Sequence, residues 1–170
     1  MKRNILIIIT FMLATLSTWA ASPQHTDKSE AEKLVQSLAK IKSDEISYAY
    51  ISMNMFKHIF ASFELDEEDA EELSFLKSLK SLRRLSTDGK QSYDIVKKAL
   101  TPFLEEREEV MGMTLMAANR DGGGMVAIYS GQGNTLVVTD CGNDTTITLV
   151  FVAGLSYKDF LLFNEMNINF

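Results

Sequence analysis

Leu34, Leu38 and Ile41 recur at helical spacing behind Ser29 and Glu32. The Ser29–Glu32 pair has the separation of a capping box, in which hydroxyl and carboxylate satisfy free backbone N–H groups reciprocally. A short helix with a narrow apolar stripe is predicted there. From Ile46 to Met53, Tyr48, Tyr50 and Ile51 favour extended backbone and predict a strand, and Met55, Phe56, Ile59 and Phe60 follow as one or two apolar helical turns. Leu73, Leu76, Leu79, Leu82 and Leu85 then recur every third residue with Lys77, Lys80, Arg83 and Arg84 between them. This spacing is helical at first and is expected to pass into a strand near Leu82 to Ser86. After a turn at Asp88-Gly89, Gln91 to Glu106 carries the clearest helical stripe, formed by Tyr93, Val96, Leu100, Phe103 and Leu104. Pro102 removes a backbone donor and crowds the preceding turn, so a kink or a new short helix capped by Thr101 is expected.

The last third reads differently. Val110 to Ala118, Met125 to Ser130, Leu136 to Cys141 and Thr145 to Ala153 are short runs of apolar and β-branched residues. Between them stand Asp121-Gly122-Gly123-Gly124, Gly131-Gln132-Gly133-Asn134 and Gly142-Asn143-Asp144, which are short and rich in residues that tolerate positive φ. This pattern predicts a four-strand antiparallel meander. Ser156 with Asp159 can cap a closing helix through Tyr157, Phe160, Leu161 and Phe163. The expected class is α+β with two layers: helices packed on one face of a mostly antiparallel sheet that ends in the meander and a C-terminal helix.

Strand alternation predicts more than the class. If Ile147, Leu149 and Phe151 turn toward the helices, Thr146, Thr148, Val150 and Val152 face away, and if Leu136 and Val138 point inward, Val137 points outward. β-Branched residues suit extended backbone in any case. An apolar second face is nevertheless the kind of surface that a partner covers, so Val137, Val150 and Val152 form a candidate surface for a second copy or another protein.

The N-terminus adds a destination. Lys2 and Arg3 precede an apolar stretch from Ile5 to Leu16, and Thr18-Trp19-Ala20 offers a small-x-small cleavage site, the pattern of a secretory signal peptide. Cleavage is expected after Ala20, with Ala21 as second choice. The apolar stretch falls short of the roughly 20 residues that cross a bilayer as a helix, so no transmembrane anchor is expected in the mature chain. The expected division of the 170 residues is a signal at 1–20, a polar tether at 21–28 and a single domain at 29–170. The expected location is periplasmic or secreted. A formal net charge of -6 makes nucleic acid a poor partner, and the lone Cys141 permits no internal disulfide.

Candidate chemistry is sparse. The glycine groups sit between strands and do not lead into a helix N-terminus as a phosphate cradle would, so they read as hairpin turns. His25 lies in the tether and His58 in an apolar helical stretch, where a structural role is expected. Cys141 has no histidine near it in sequence and no flanking basic cluster, and reads as a small hydrophobe. Asp140, Asn143 and Asp144 read as turn formers, and the carboxylate-dense run from Glu64 to Glu72 has neither the glycine nor the alternation of a calcium loop and reads as a solvated helix start. Met111 and Met113 on one strand face and Met116 on the other read as core packing. No catalytic, cofactor-binding or metal-binding residue is assigned.

Three stretches carry a resemblance: Ile46-Ser47-Tyr48-Ala49-Tyr50-Ile51-Ser52 with Met55-Phe56, then Leu79 to Thr87, then the meander from Val110 through Gly154. Together the chain resembles the domain-of-unknown-function family 4252, small exported proteins found largely in Bacteroidetes. That resemblance implies an envelope or secreted protein with no established activity, so it transfers no functional residue. Many exported relatives would be expected to carry a lipid anchor, and no cysteine stands near this cleavage site. The functional expectation is a non-enzymatic exported binding or interaction module of the bacterial cell envelope. The alternatives are an enzyme of unfamiliar type using carboxylates brought together by folding, or an envelope stress-sensing component.

Overall fold

The computed structural model describes residues 28–61 and 77–165, with the backbone alone for 59–61 and 162–165. The expected signal at 1–20, tether residues 21–27 with His25, and the run from Glu64 through Leu76 lie outside the described residues. The described elements run in the order α1 (Glu30–Leu38), β1 (Ile46–Ser52), α2 (Met53–Ala61), β2 (Ser81–Thr87), α3 (Lys90–Leu104), β3 (Glu109–Val110), β4 (Met113–Asp121), β5 (Gly124–Gly131), β6 (Asn134–Asp140), β7 (Ile147–Ala153) and α4 (Tyr157–Glu165). The strands make one antiparallel sheet in the order β1-β2-β7-β6-β5-β4-β3. This is the expected α+β class, with the meander and the closing helix in place.

Local chemistry accounts for the boundaries. Ser29 caps α1 by accepting from the Glu32 N–H at 3.2 Å, but the return half of the capping box is not made, because the Glu32 carboxylate is turned to Arg83. At α4 Ser156 caps as predicted, its hydroxyl accepting from the Asp159 N–H at 3.4 Å, and the Asp159 carboxylate returns to the Ser156 hydroxyl at 2.6 Å in place of the backbone N–H of a full capping box. Pro102 neither starts a new helix nor ends α3, which continues to Leu104. It sits in the last turn, where few backbone bonds remain to be lost, and Thr101 donates its hydroxyl to the Lys97 carbonyl at 3.1 Å instead of capping.

The meander is tighter than the sequence pattern implied. Its hairpins turn on residue pairs with positive φ at both positions: Gly122 and Gly123 at 55° and 90°, and Gln132 and Gly133 at 54° and 70°. That is the backbone of a two-residue turn whose twist matches the strands it joins. Met111 and Gly112, at 53° and 70°, make a third such turn. The expected strand from Val110 to Ala118 is therefore split into β3 and β4, Met111 leaves the sheet, and a register shift between Leu115 and Ala117 brings Met116 out of strict alternation. Gly131 has no room for a side chain, since a Cβ there would stand 2.3 Å from the Gly112 carbonyl oxygen.

Two apolar clusters hold the sheet. On one face α1 supplies Ala31, Val35 and Leu38, and α3 supplies Tyr93, Val96, Leu100 and Phe103, against Leu85, Tyr129, Leu136, Val138, Ile147, Leu149 and Phe151. The inward set proposed from alternation is the set found. On the opposite face Ile51, Leu82, Val150 and Val152 pack with Leu79, Leu155, Phe56 of α2 and Phe160 of α4. The expected partner surface is corrected here. Val150 and Val152 are 4% and 1% exposed, and Val137 is partly buried against the same cluster. The chain covers with its own α2 and α4 the valines that the sequence left open.

Candidate functional site

Polar side chains gather around Asp140 at the end of β6 and around Arg83 on β2. At the end of β6, Asp140 is fixed by the sheet and α3 brings Tyr93 and Lys97 over it. Their i, i+4 spacing sets them one above the other. The Tyr93 hydroxyl donates to the Asp140 carboxylate at 3.2 Å, Lys97 donates to the Tyr93 hydroxyl, and Lys97 Nζ lies 3.2 Å from Asp140 Oδ2. The Gly142 N–H also bonds Asp140, at 2.9 Å. Burial raises the Tyr93 pKa, and the hydrogen bond from Lys97 opposes it. The Lys97 pKa is also raised, first by its bond to Tyr93 and further by Asp140. Phenol and ammonium thus keep their protons at neutral pH, and each partner is engaged by the others. The arrangement fastens α3 to the loop that follows β6.

The second cluster lies where α1 crosses β1 and β2. Arg83 on β2 pairs with Glu32 of α1 at 2.8 Å, donates to the Tyr48 hydroxyl at 3.0 Å, and stacks over the Tyr50 ring at 4.3 Å. Tyr50 is its direct cross-strand partner. Its side chain is 6% exposed. Burial opposes the charge, but the hydrogen bonds and fields of Tyr48 and Glu32 outweigh it and raise the Arg83 pKa, so the guanidinium stays charged. Its Nε is buried with no hydrogen-bond partner, as is Nε of Arg84.

A third polar feature escaped sequence reasoning. The residue before α3 is Gly89, which has no capping side chain, and the Glu45 carboxylate supplies the cap from across the fold by accepting from the Ser92 N–H at 3.1 Å. A Cβ at Gly89 would stand 2.2 Å from the Glu45 carboxyl carbon, so the glycine leaves space for that carboxylate. Nothing in the local sequence links Glu45 to Ser92, and a missing cap before a strong helix was the available signal.

Other candidates resolve simply. Asn143 accepts from the N–H groups of Thr145 and Thr146 at 3.1 and 2.9 Å, the turn role expected of it. Cys141 is exposed just beyond the end of β6, so its reading as a packed hydrophobe is corrected: the thiol is at the surface. His58 is exposed on α2, outside the second cluster. Among the described residues no three His, Cys, Asp or Glu side chains are grouped to hold a metal ion, and no helix is long and apolar enough to cross a membrane. Apolar exposure remains elsewhere: Val126, two residues from Ile128 and on the same face of β5, is 37% exposed, and Met116 at the register shift of β4 is 43% exposed.

Fold and site together define a small α+β domain in which two ion pairs, Glu32–Arg83 and Lys97–Asp140, fasten α1 and α3 to an antiparallel sheet. A family model, the domain of unknown function DUF4252, matches residues 38–158. The chain belongs to that family. No curated protein and no solved structure matches it.

Proposed function

We propose that the protein is a non-enzymatic interaction module of the bacterial cell envelope, exported by its N-terminal signal and cleaved after Ala20. The observation that carries the binding role is apolar exposure at the β4–β5 end of the sheet, where Val126 and Met116 stand exposed on neighbouring strands while Arg120 on β4 is paired with Glu106. An exposed apolar surface with no grouped acid and base beside it suits recognition better than proton transfer. The proposed contact surface is the β4–β5 end of the sheet, away from Val150 and Val152. The Lys2-Arg3 start, the apolar middle and the small-residue site support export.

Affinity capture from envelope extracts, run in parallel with wild type and a Val126→Lys/Met116→Lys double variant, tests the binding role. Wild type should retain a protein that the variant loses, with far-ultraviolet circular dichroism unchanged. Identical captured sets would overturn this placement. Mass spectrometry of the protein from its host should find Ala21 at the N-terminus, and retention of Met1 in the envelope fraction would overturn export.

A further inference from the structure

We propose that Arg84 and the hydroxyl row beside it on the second sheet face bind the phosphate- or sulfate-type oxyanion of a small ligand. Arg84 follows Arg83 on β2 and so points to the other face, the face of Leu82, Val150 and Val152. Its direct neighbours across the strands are Ala49 on β1 and Val150 on β7, both buried and neither offering a side-chain acceptor. The other described arginines are all in ion pairs: Arg83 with Glu32, Arg107 with Glu105 and Arg120 with Glu106. Among the described residues the Arg84 guanidinium has no ion pair and no hydrogen bond, and its Nε is buried. A guanidinium does not discharge, so a cation partly buried among apolar side chains without a counter-charge costs stability that a bound anion would offset.

The groups next to it supply the rest of an anion site. Ser86 lies two residues on along β2, Thr148 faces it on β7 and Thr139 faces Thr148 on β6, so the three side chains form a row on the Arg84 face, each partly exposed. Ser86 and Thr148 share a hydrogen bond at 3.1 Å, which uses one of their two hydroxyl hydrogens. The other is unspent, and the Thr139 hydroxyl has no partner among the described residues. No carboxylate stands in this row or in the Arg84 row from β1 to β6. A fixed positive charge beside hydroxyl donors selects an oxyanion. Arginine gives such a group two parallel bonds when Nε and one Nη face it together, and a turn of the flexible stem brings the buried Nε into that pose. A phosphate or sulfate then has further oxygens for the hydroxyls. The net charge of -6 opposes a densely charged polymer or surface, so the group is carried by a small solute.

Nuclear magnetic resonance of the full chain labelled with nitrogen-15 reads the site directly. The Arg84 Nε–H signal, identified by its loss in Arg84→Met, should shift saturably as inorganic phosphate or sulfate replaces chloride at fixed ionic strength, while the Arg83 Nε–H signal stays in place. A Thr139→Val/Thr148→Val double variant, which keeps the side-chain shapes and Arg84, should bind phosphate at least about tenfold more weakly by the same titration. No saturable Arg84 shift, or an equal response of the double variant, overturns the proposal. Urea titration of Arg84→Met supplies a second measurement. Its midpoint should lie at or above that of wild type, because no partner within the chain is lost. A lowered midpoint would mean that Arg84 already pairs with a carboxylate of its own chain, and this also overturns the proposal. Vesicles of phosphatidylglycerol in phosphatidylcholine should not retain the protein, and retention by vesicles without a response to free phosphate would refute the small-solute ligand.

Discussion

Replacing Val152 with lysine separates a covered sheet face from an open one. Val152 is 1% exposed and pairs with Leu82 on one side and Thr135 on the other, within the cluster closed by Phe56, Leu155 and Phe160. Removing a buried valine forfeits about 1.5–3 kcal/mol of transfer free energy. The incoming ammonium must then be neutralised or led to water through displaced neighbours, a further cost of about 2 kcal/mol or more. The sum, about 3.5–5 kcal/mol, is a large part of the roughly 5–15 kcal/mol that stabilises an ordinary domain. On the same face Val126 is 37% exposed, so Val126→Lys should change stability by no more than about 0.5 kcal/mol. Urea titrations followed by circular dichroism measure both. With a slope of about 2 kcal/mol per molar urea, Val152→Lys lowers the midpoint by about 2 M or leaves the chain unfolded in buffer, while Val126→Lys leaves it in place. A Val152→Lys protein within about 1 kcal/mol of wild type would refute the claim that α2 and α4 shield this face.

The exposed Cys141 thiol should react with a small thiol reagent at nearly the same rate in native buffer and in denaturant, and strong native protection would contradict its surface position. Alkaline pH should destabilise the fold. The pKa values of Tyr93 and Tyr129 are raised, each chiefly by burial, and that of Lys97 by its bond to Tyr93, so the folded state binds more protons than the unfolded state above about pH 10. Stability from these groups is complete below that pH and falls as pH rises through the folded-state values. A urea midpoint that stays constant from pH 8 to beyond about pH 11 would refute the linkage. Glu45→Ala removes the cap of α3 and should cost about 1 kcal/mol, whereas the neighbouring exposed change Asp44→Ala should cost less than half of that by the same titration.

Much of the fold was legible because its signals are local. Turn glycines, the leucine spacing that ends in β2 and the Ser156–Asp159 cap each act within a few residues, and the inward set on β7 follows from alternation once the strand is placed. The partner surface was misread for a matching reason. Alternation states which residues share a face but not whether that face is covered, and the covering residues, Phe56 on α2 and Phe160 on α4, come from elements far apart in the chain. Met111 was misplaced because a Met-Gly turn resembles strand continuation until its positive φ is seen. The polar clusters were hidden for the same reason of distance. Tyr93 and Asp140 are 47 residues apart and Glu32 and Arg83 are 51 apart, so their pairing is decided by which strands become neighbours.

The position of β7 has a consequence for how the chain is made. Among the described strands β7 is the last in sequence, yet it lies inside the sheet, paired with β2 on one side and β6 on the other. Until it emerges, β1 with β2 and β3 through β6 form two separate ribbons, each with a bare edge where β7 will insert. Leu82 meets Val152 only by closing a loop of about 70 residues, which delays the decisive pairing and makes it sensitive to truncation. A nascent chain that ends before Ile147 should therefore remain protease-sensitive, and completion of the last strand should bring protection to β2 and β6 in a single step.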